Sequence, residues 1–355
     1  MRPRSRPVFA LSLALACQAS QTDTSPFTTA PPSPGTSDAS TSSSSSSSST
    51  GGELSTGSGS GGASTSGTTL ILDVGSADDL GTLQPKGCKG KIDFLFVISR
   101  HEFMHAVQAQ LVDAVPKFLD TIQTKFADFD YHVMVVKGDP LWGNASCDEE
   151  CPGPFSQHCL SADEYPCEMV GKVPECETTW GAGAVFNAGS YTPNKPCEIA
   201  DGRRYLTRDT PNLSESFACI AQVGTTGGDL IGEALVHAVS PGLNGAGGCN
   251  EGFLRDDALL VVTLVTSTAD YSSDGTPAEW AQAVIGAKDG DEEAVVLFSI
   301  ASKYGGECKT YDTLCQFREL FPYMHSIGAG DPDYGPGFDV ATDLVETACS
   351  KFIPQ

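Results

Sequence analysis

Apolar residues follow two rhythms along this chain, and the change from one to the other marks its elements. Residues 92–98, Ile-Asp-Phe-Leu-Phe-Val-Ile, form a nearly unbroken apolar run. Such a run predicts a central strand buried on both faces, as in a parallel sheet covered by helices. Directly behind it Met104, Val107, Leu111, Val115, Phe118, Ile122 and Phe126 recur in steps of three and four, one stripe of an amphipathic helix. Pro116 stands within the stripe and predicts a kink or a restart. Further strands are predicted at 131–136, 258–266 and 295–300, with a short one around 325–327. Helices are predicted at 213–222, 229–239 and 311–321. Another opens at Thr276-Pro277-Ala278-Glu279, with a threonine cap, proline in the first position and glutamate three residues after the cap. A last helix places Val340, Leu344, Ala348 and Phe352 on one stripe. Strands alternating with helices predict an α/β fold with a doubly wound, mostly parallel sheet.

Three stretches break the rhythm. Residues 141–200 carry six cysteines with many glycines and prolines and little periodicity, which predicts a disulfide-stapled insertion without a core of its own. Residues 18–69 are Ser, Thr, Gly and Pro, including a run of eight serines, and predict a flexible, solvated tether ahead of a folded part at 70–355. Residues 1–17 begin with Arg2, Arg4 and Arg6 and continue through a short apolar segment to Leu13-Ala14-Leu15-Ala16-Cys17. That is the pattern of a secretory signal. Its ending resembles a bacterial lipobox, which implies acylation of Cys17 and a lipid anchor to the cell envelope, expected at the outer membrane.

Composition narrows the partners. The formal net charge of −24 argues against nucleic acid, which needs basic patches, and favours cations or basic protein surfaces. Of the 13 cysteines, the twelve after Cys17 are expected to form six disulfides, most of them local to 147–197. Gly252-Phe253-Leu254-Arg255-Asp256-Asp257, just ahead of the third long strand, is a mixed-charge entry that predicts an ion pair. Asp331-x-Asp333-x-Gly335 reads as a turn leading to an Asp339 helix cap.

The candidate chemistry sits at the turn after the first strand, where open α/β sheets bind ligands. His101, Glu102 and His105 form His-Glu-x-x-His, which on one helix face places two imidazoles on a zinc ion. The places where an extended motif has its Gly and third His hold Gln108 and Leu111, and no glutamate follows until Glu149. The same strand, turn and helix resemble the start of a von Willebrand factor A-type domain. Such domains carry Asp-x-Ser-x-Ser here, the core of a metal-ion-dependent adhesion site, and the matching positions are Ser99, His101 and Phe103. The resemblance implies that Thr225 or Thr226, in Gly224-Thr225-Thr226-Gly227, keeps a ligand role and that Ser267 stands where the family has an aspartate.

Serine at both carboxylate positions implies a site that no longer holds a divalent ion in that manner, because magnesium and calcium need carboxylate oxygens. Glu102, Asp229 and Asp270 are the acids near enough in sequence to rebuild one. The expected binding rim is therefore Ser99, Arg100, His101, Glu102, Thr225, Thr226, Ser267 and Asp270, with no cofactor and no catalytic residue. The expected function is binding or scaffolding of an envelope or extracellular protein. The alternative is a zinc-dependent hydrolase using His101, Glu102 and His105.

Overall fold

The computed structural model describes residues 87–151, 165–302, 308–309 and 311–351. The signal segment, Cys17 and the tether lie outside the described residues. In chain order the elements are β1 Lys91–Ile98, α1 His105–Lys125, β2 Asp130–Lys137, α2 Ala145–Glu150, β3 Phe186–Asn187, β4 Lys195–Pro196, β5 Leu206–Thr207, α3 Leu213–Ala221, α4 Ile231–Ala238, α5 Pro241–Asn244, β6 Leu259–Val265, α6 Pro277–Gly286, β7 Val295–Ala301, α7 Thr313–Arg318, β8 Tyr323–Gly328 and α8 Gly335–Lys351. Six strands form one sheet in the order β5-β2-β1-β6-β7-β8, with β3 and β4 paired separately. Every pairing in the large sheet is parallel except the short antiparallel edge made by β5 on β2. The predicted α/β class holds, and the strand order is the doubly wound one that reverses between its two central strands, here β1 and β6.

The unbroken run in β1 has the meaning its composition gave it. Ile92, Phe94, Phe96 and Ile98 pack into a layer with α1, α3 and α8, where Phe94 meets Phe118 edge-on at 5.7 Å. Leu95 and Val97 face the opposite layer with α4, α6 and α7, built around Trp280 and Phe317. Helix α1 runs through Pro116 without restarting and buries the predicted stripe. Helix α6 opens with the predicted capping box between Thr276 and Glu279. Helix α8 differs from expectation. It buries Phe338, Ala341, Thr342, Val345, Ala348 and Cys349 and leaves Val340 exposed, so its stripe is rotated from the one read in sequence. Asp339 lies inside this helix as a surface residue 3.7 Å from Lys117 and caps nothing, whereas Asp333 accepts a hydrogen bond from the Gly335 N–H.

All eleven described cysteines after the tether are disulfide-bonded. The expected local stapling of the insertion needs correction. Cys151–Cys167 is local, but Cys176–Cys249 and Cys197–Cys219 bolt the insertion onto the body of the domain. Cys308–Cys315 closes a small loop, and Cys88–Cys349 joins the two ends of the fold across 261 residues. Nor is the insertion coreless. Trp142, Cys147, Tyr165, Phe186 and Ala188 make a small apolar cluster, and Ala184 donates its N–H to Val135 on β2. Gly183 is required there, because a side chain would collide with the Arg204 backbone.

At the amino ends of β1 and β2 the sheet buries charge. Asp93, on β1, is fully buried and accepts hydrogen bonds from the Arg255 N–H and Nε, each at 2.8 Å. Arg255 also binds the Ile92 and Asp130 carbonyls, which makes the predicted mixed-charge entry an ion-pair clamp between two strand starts. His132, the register partner of Asp93 on β2, lies with Nδ1 3.6 Å from it and 3.0 Å from the Phe253 carbonyl. Burial outweighs the Arg255 charge and raises the Asp93 carboxyl to about 6, and burial lowers the His132 imidazole to about 4.

Candidate functional site

The loops that leave the carboxyl ends of β1 and β6 diverge, one toward α1 on one face and the other toward α6 on the opposite face. The crevice between them is the topological switch point. Ser99 begins the first loop and is buried. Its N–H donates to Val265 at 2.9 Å, its carbonyl accepts from Gln108 at 3.1 Å, and its hydroxyl accepts from the His101 N–H at 3.1 Å. The serine that replaces an aspartate is thus committed to shaping the turn.

Arg100 was expected on the rim and is instead among the largest fully buried side chains. Its guanidinium donates to the Val223 carbonyl at 2.9 Å, Asp139 at 2.9 Å, the Leu141 carbonyl at 2.8 Å and the Gly143 carbonyl at 2.9 Å. Asp139 in turn accepts from the Leu141 N–H and the Gly228 N–H. Backbone bonds from Arg100 to Gly228 and from Gly227 back to Arg100 complete the knot. Gly227 has to be glycine because a Cβ would run into the Asp139 carboxylate. One buried ion pair therefore rivets three loops together: the turn after β1, the segment after β2 and residues 223–228. Lys137, at the end of β2, adds bonds to the Leu141 and Glu177 carbonyls, and burial lowers its ammonium to about 7.

Asp270 was also expected on the rim and is also buried. It accepts from the Gly232 N–H, the Ser272 and Ser273 N–H groups and the Ser273 hydroxyl, which closes the N-terminus of α4. Asp229 accepts from the Thr268 hydroxyl at 2.5 Å. Glu102 is exposed. So of the three acids that sequence offered for a rebuilt ion site, one is spent on a helix end and one on a threonine. With serine at 99 and 267, neither of the two positions where the resemblance has aspartate offers a carboxylate to a hard divalent cation.

The histidine motif is split between elements. His101 precedes a short 3-10 turn over Glu102–Met104, its Nδ1 facing the Phe103 N–H, and α1 begins only at His105. The two imidazoles are therefore not presented by one settled helix face, and the His105 ring stacks on Tyr191 at 4.9 Å. Among the described residues one cluster of three potential metal donors occurs, Cys308, Cys315 and Glu319, and its two sulfurs are joined to each other.

What the residues do form is an open concavity of about 510 Å³ lined by His101, Glu102, Asn144, Ser146, Thr225, Thr226 and Gly227. Beneath it Met104 is fully buried, and its sulfur accepts the Ser267 N–H at 3.1 Å. The buried hydroxyls of Thr226 and Ser267 have no hydrogen-bond partner among the described residues, which is uncommon for buried polar groups. The loops that follow the parallel strands also carry exposed rings and an exposed leucine that sequence reading missed. Phe103 follows β1, Leu141 follows β2, Tyr271 follows β6 and Tyr311 follows β7. Phe103 and Tyr271 are each 64% exposed. The signal was present: Phe103 occupies the outward position of the motif where the resemblance has a serine.

Fold and site together define a doubly wound α/β domain whose switch-point loops are fixed by an internal ion pair and edged with exposed apolar side chains. No protein-family model matches the chain, and no curated protein matches it. Solved structures that match include proximal thread matrix protein 1 from the mussel byssus in two determinations. One has 12% identity and a TM-score of 0.35, covering 73% of this chain and 48% of that one. The other has 13% identity and a TM-score of 0.32, covering 74% and 47%. The chain thus spans about half the length of that protein.

Proposed function

We propose that this protein is a non-catalytic binding or scaffolding domain of the bacterial cell envelope. Lipid on Cys17 anchors it, the 18–69 tether holds it off the membrane, and the carboxyl-end face of its sheet docks another protein without a divalent ion. The observation that carries the reading is the set of exposed apolar side chains. Four parallel strands are each followed by one large exposed apolar side chain, and two of these, Phe103 and Leu141, stand on loops tied by the Arg100 pair. Exposed aromatic side chains are the usual anchors of protein interfaces. Disulfide density fits an oxidising, extracytoplasmic compartment. No described helix is long and apolar enough to cross a membrane.

The test places a photo-crosslinking amino acid at position 103, 271 or 292 in the tethered protein on native envelopes, in excess chelator. Crosslinks to one partner from 103 and 271 and none from 292 are the expected result. Loss of those crosslinks in chelator, or zinc bound stoichiometrically and released by His105→Ala, overturns it.

A further inference from the structure

Around α7 the chain gathers three metal-binding donors that the histidine motif and the switch-point crevice do not involve. The sulfurs of Cys308 and Cys315 and a carboxylate oxygen of Glu319 all lie within 4.8 Å of one another. Two of the three come from one helical turn. Cys315 and Glu319 stand four residues apart, and the Glu319 N–H donates to the Cys315 carbonyl at 3.3 Å. Cys308 reaches them from the segment ahead of the helix, which is held by bonds that involve no sulfur. The Lys309 carbonyl accepts from the Asp312 N–H at 2.9 Å and from the Gln316 amide at 2.8 Å. The Asp312 carboxylate accepts the Cys315 N–H at 2.9 Å, and Leu314 and Phe317 root the helix in the core. Opening the sulfur–sulfur bond therefore leaves the three donors close together.

Chain entropy and access mark this bond as the easiest to open. Among the described bridges it closes the shortest loop, its cysteines 7 residues apart against 16, 22, 73 and 261 for the rest. A bridge across a shorter loop adds less stability. Both its cysteines are half-buried, whereas Cys88 and Cys349 are fully buried, and exposed disulfides are the labile ones. The Glu319 carboxylate is exposed and makes no hydrogen bond or ion pair among the described residues. Two thiolates and a carboxylate, with a fourth position left to water, suit zinc, whose ligands at about 2.0–2.3 Å stand roughly 3.4–3.8 Å apart in a tetrahedron. The sulfurs select against hard ions such as magnesium and calcium.

We infer that Cys308, Cys315 and Glu319 form a redox-gated zinc site, closed as the disulfide and opened by a dithiol reductant. One thiolate of the dithiol attacks a sulfur of the bridge and expels the other as a thiolate. Its second thiol then displaces the protein sulfur. The dithiol leaves as a cyclic disulfide, and its two electrons and two protons stay on Cys308 and Cys315. Zinc takes the place of those protons, and Glu319 supplies the third ligand. The site works whether or not the strand-end face docks a partner.

The test treats the full chain with graded dithiothreitol, then alkylates free thiols and locates them by mass spectrometry. Cys308 and Cys315 should be labelled ahead of every other described cysteine. The dithiol is then removed without air, zinc is added, and the metal retained through gel filtration is counted. One zinc per chain is expected after reduction and none before, with alkylation of Cys308 and Cys315 slowed at least about tenfold, because a metal-bound thiolate is no longer a free nucleophile. Glu319→Gln keeps the disulfide and should weaken zinc by at least about tenfold, the loss common when even a supporting group of a metal site is removed. Cys308→Ser with Cys315→Ser should take up none, while Glu292→Gln and His105→Ala should bind as the wild type does. Earlier labelling of another described pair, zinc uptake before reduction, no zinc on the reduced chain, or equal zinc on Glu319→Gln or the double serine variant overturns the inference. Zinc lost in His105→Ala overturns it as well, by placing the ion at the histidine motif.

Discussion

Each end of the central sheet holds a buried arginine–aspartate pair, and the two pairs serve different ends. At the amino ends Arg255 grips Asp93 and the carbonyls of Ile92 and Asp130, so the clamp ties one strand start to the next. At the carboxyl ends Arg100 grips Asp139 and three carbonyls that belong to loops. The first pair is surrounded by compensating charge, with Lys288 and Lys91 close by on the Asp256 carbonyl and the Asp257 carboxylate. The second lies under a surface of acids and exposed rings. A buried ion pair seldom adds much net stability over an apolar replacement, but it fixes geometry. The amino-end pair fixes strands that the sheet already orders. The carboxyl-end pair ties together loops, alongside the bonds that Gln108, Lys137 and the backbone make to them.

The largest effect should come from breaking the loop rivet. Arg100→Met leaves Asp139 buried without its cation and should lower unfolding free energy by about 3–5 kcal/mol in denaturant titrations. Arg100→Lys should restore little, since one ammonium cannot reach four acceptors arrayed for a planar fork. Arg255→Met should cost less than Arg100→Met, because Asp93, already raised to about 6, takes up a proton when its partner is gone. An equal cost would erase the distinction between the ends.

Removing the Cys88–Cys349 bridge as a double alanine variant should lower stability by about 2–4 kcal/mol, the typical range for a native disulfide. The loop face should keep its geometry, so partner crosslinks from positions 103 and 271 should persist at temperatures well below the melt.

The amino end also predicts a hidden pH dependence. The His132 imidazole sits at about 4 in the fold and 6.5 when unfolded, so its stability contribution is present above 6.5 and lost as pH falls through 4. The Asp93 carboxyl sits at about 6 against 3.8, so its contribution is present below 3.8 and lost as pH rises through 6. The two oppose each other in one window and should nearly cancel in the wild type. His132→Gln should expose the aspartate, with stability rising by about 2–3 kcal/mol from pH 6.5 to 4, and Asp93→Asn should expose the reverse trend. Parallel slopes in both variants would show that the two groups do not titrate as placed.

The smallest stability effect belongs to the exposed rings. Phe103→Ser should shift unfolding free energy by no more than about 0.5 kcal/mol while removing partner crosslinks from position 271. A large loss of stability would mean that this ring packs on something in the fold and is not presented to a partner.

Sequence carried the sheet plainly because burial on two faces leaves few polar positions, and β1, β6 and β7 follow that rule closely. The α6 start was legible for a local reason, since a capping box needs only residues 276–279. Where the deciding contact is remote, local pattern misled. The stripe of α8 is set by Cys349 reaching back to Cys88 and by Gly337 lying against Ile327, neither visible at helical spacing. Arg100 stands beside a rim serine in sequence, but its carboxylate partner is 39 residues away. His132 has Asp130 two residues ahead of it in sequence, but its buried neighbour Asp93 appears only when strand register sets the two opposite each other. The residues named for the rim do follow the carboxyl ends of the strands, but which of them are buried and which exposed depended on tertiary pairing.

The bridge between Cys88 and Cys349 has a mechanical consequence. Pull on the chain ahead of Cys88 while a partner holds the opposite end of the sheet, and tension enters at the foot of β1. The load then runs along the strand, and its bonds to β2 and β6 on either side are stretched together in shear, with none peeled away one at a time. The sulfur bridge gives tension a second route at the same point, into α8, so the foot of β1 cannot lift off without dragging the last helix with it. A domain wired in this way yields late and all at once under force, and reduction of that one bond should change its rupture from a single high event to an earlier, stepwise one in single-molecule pulling.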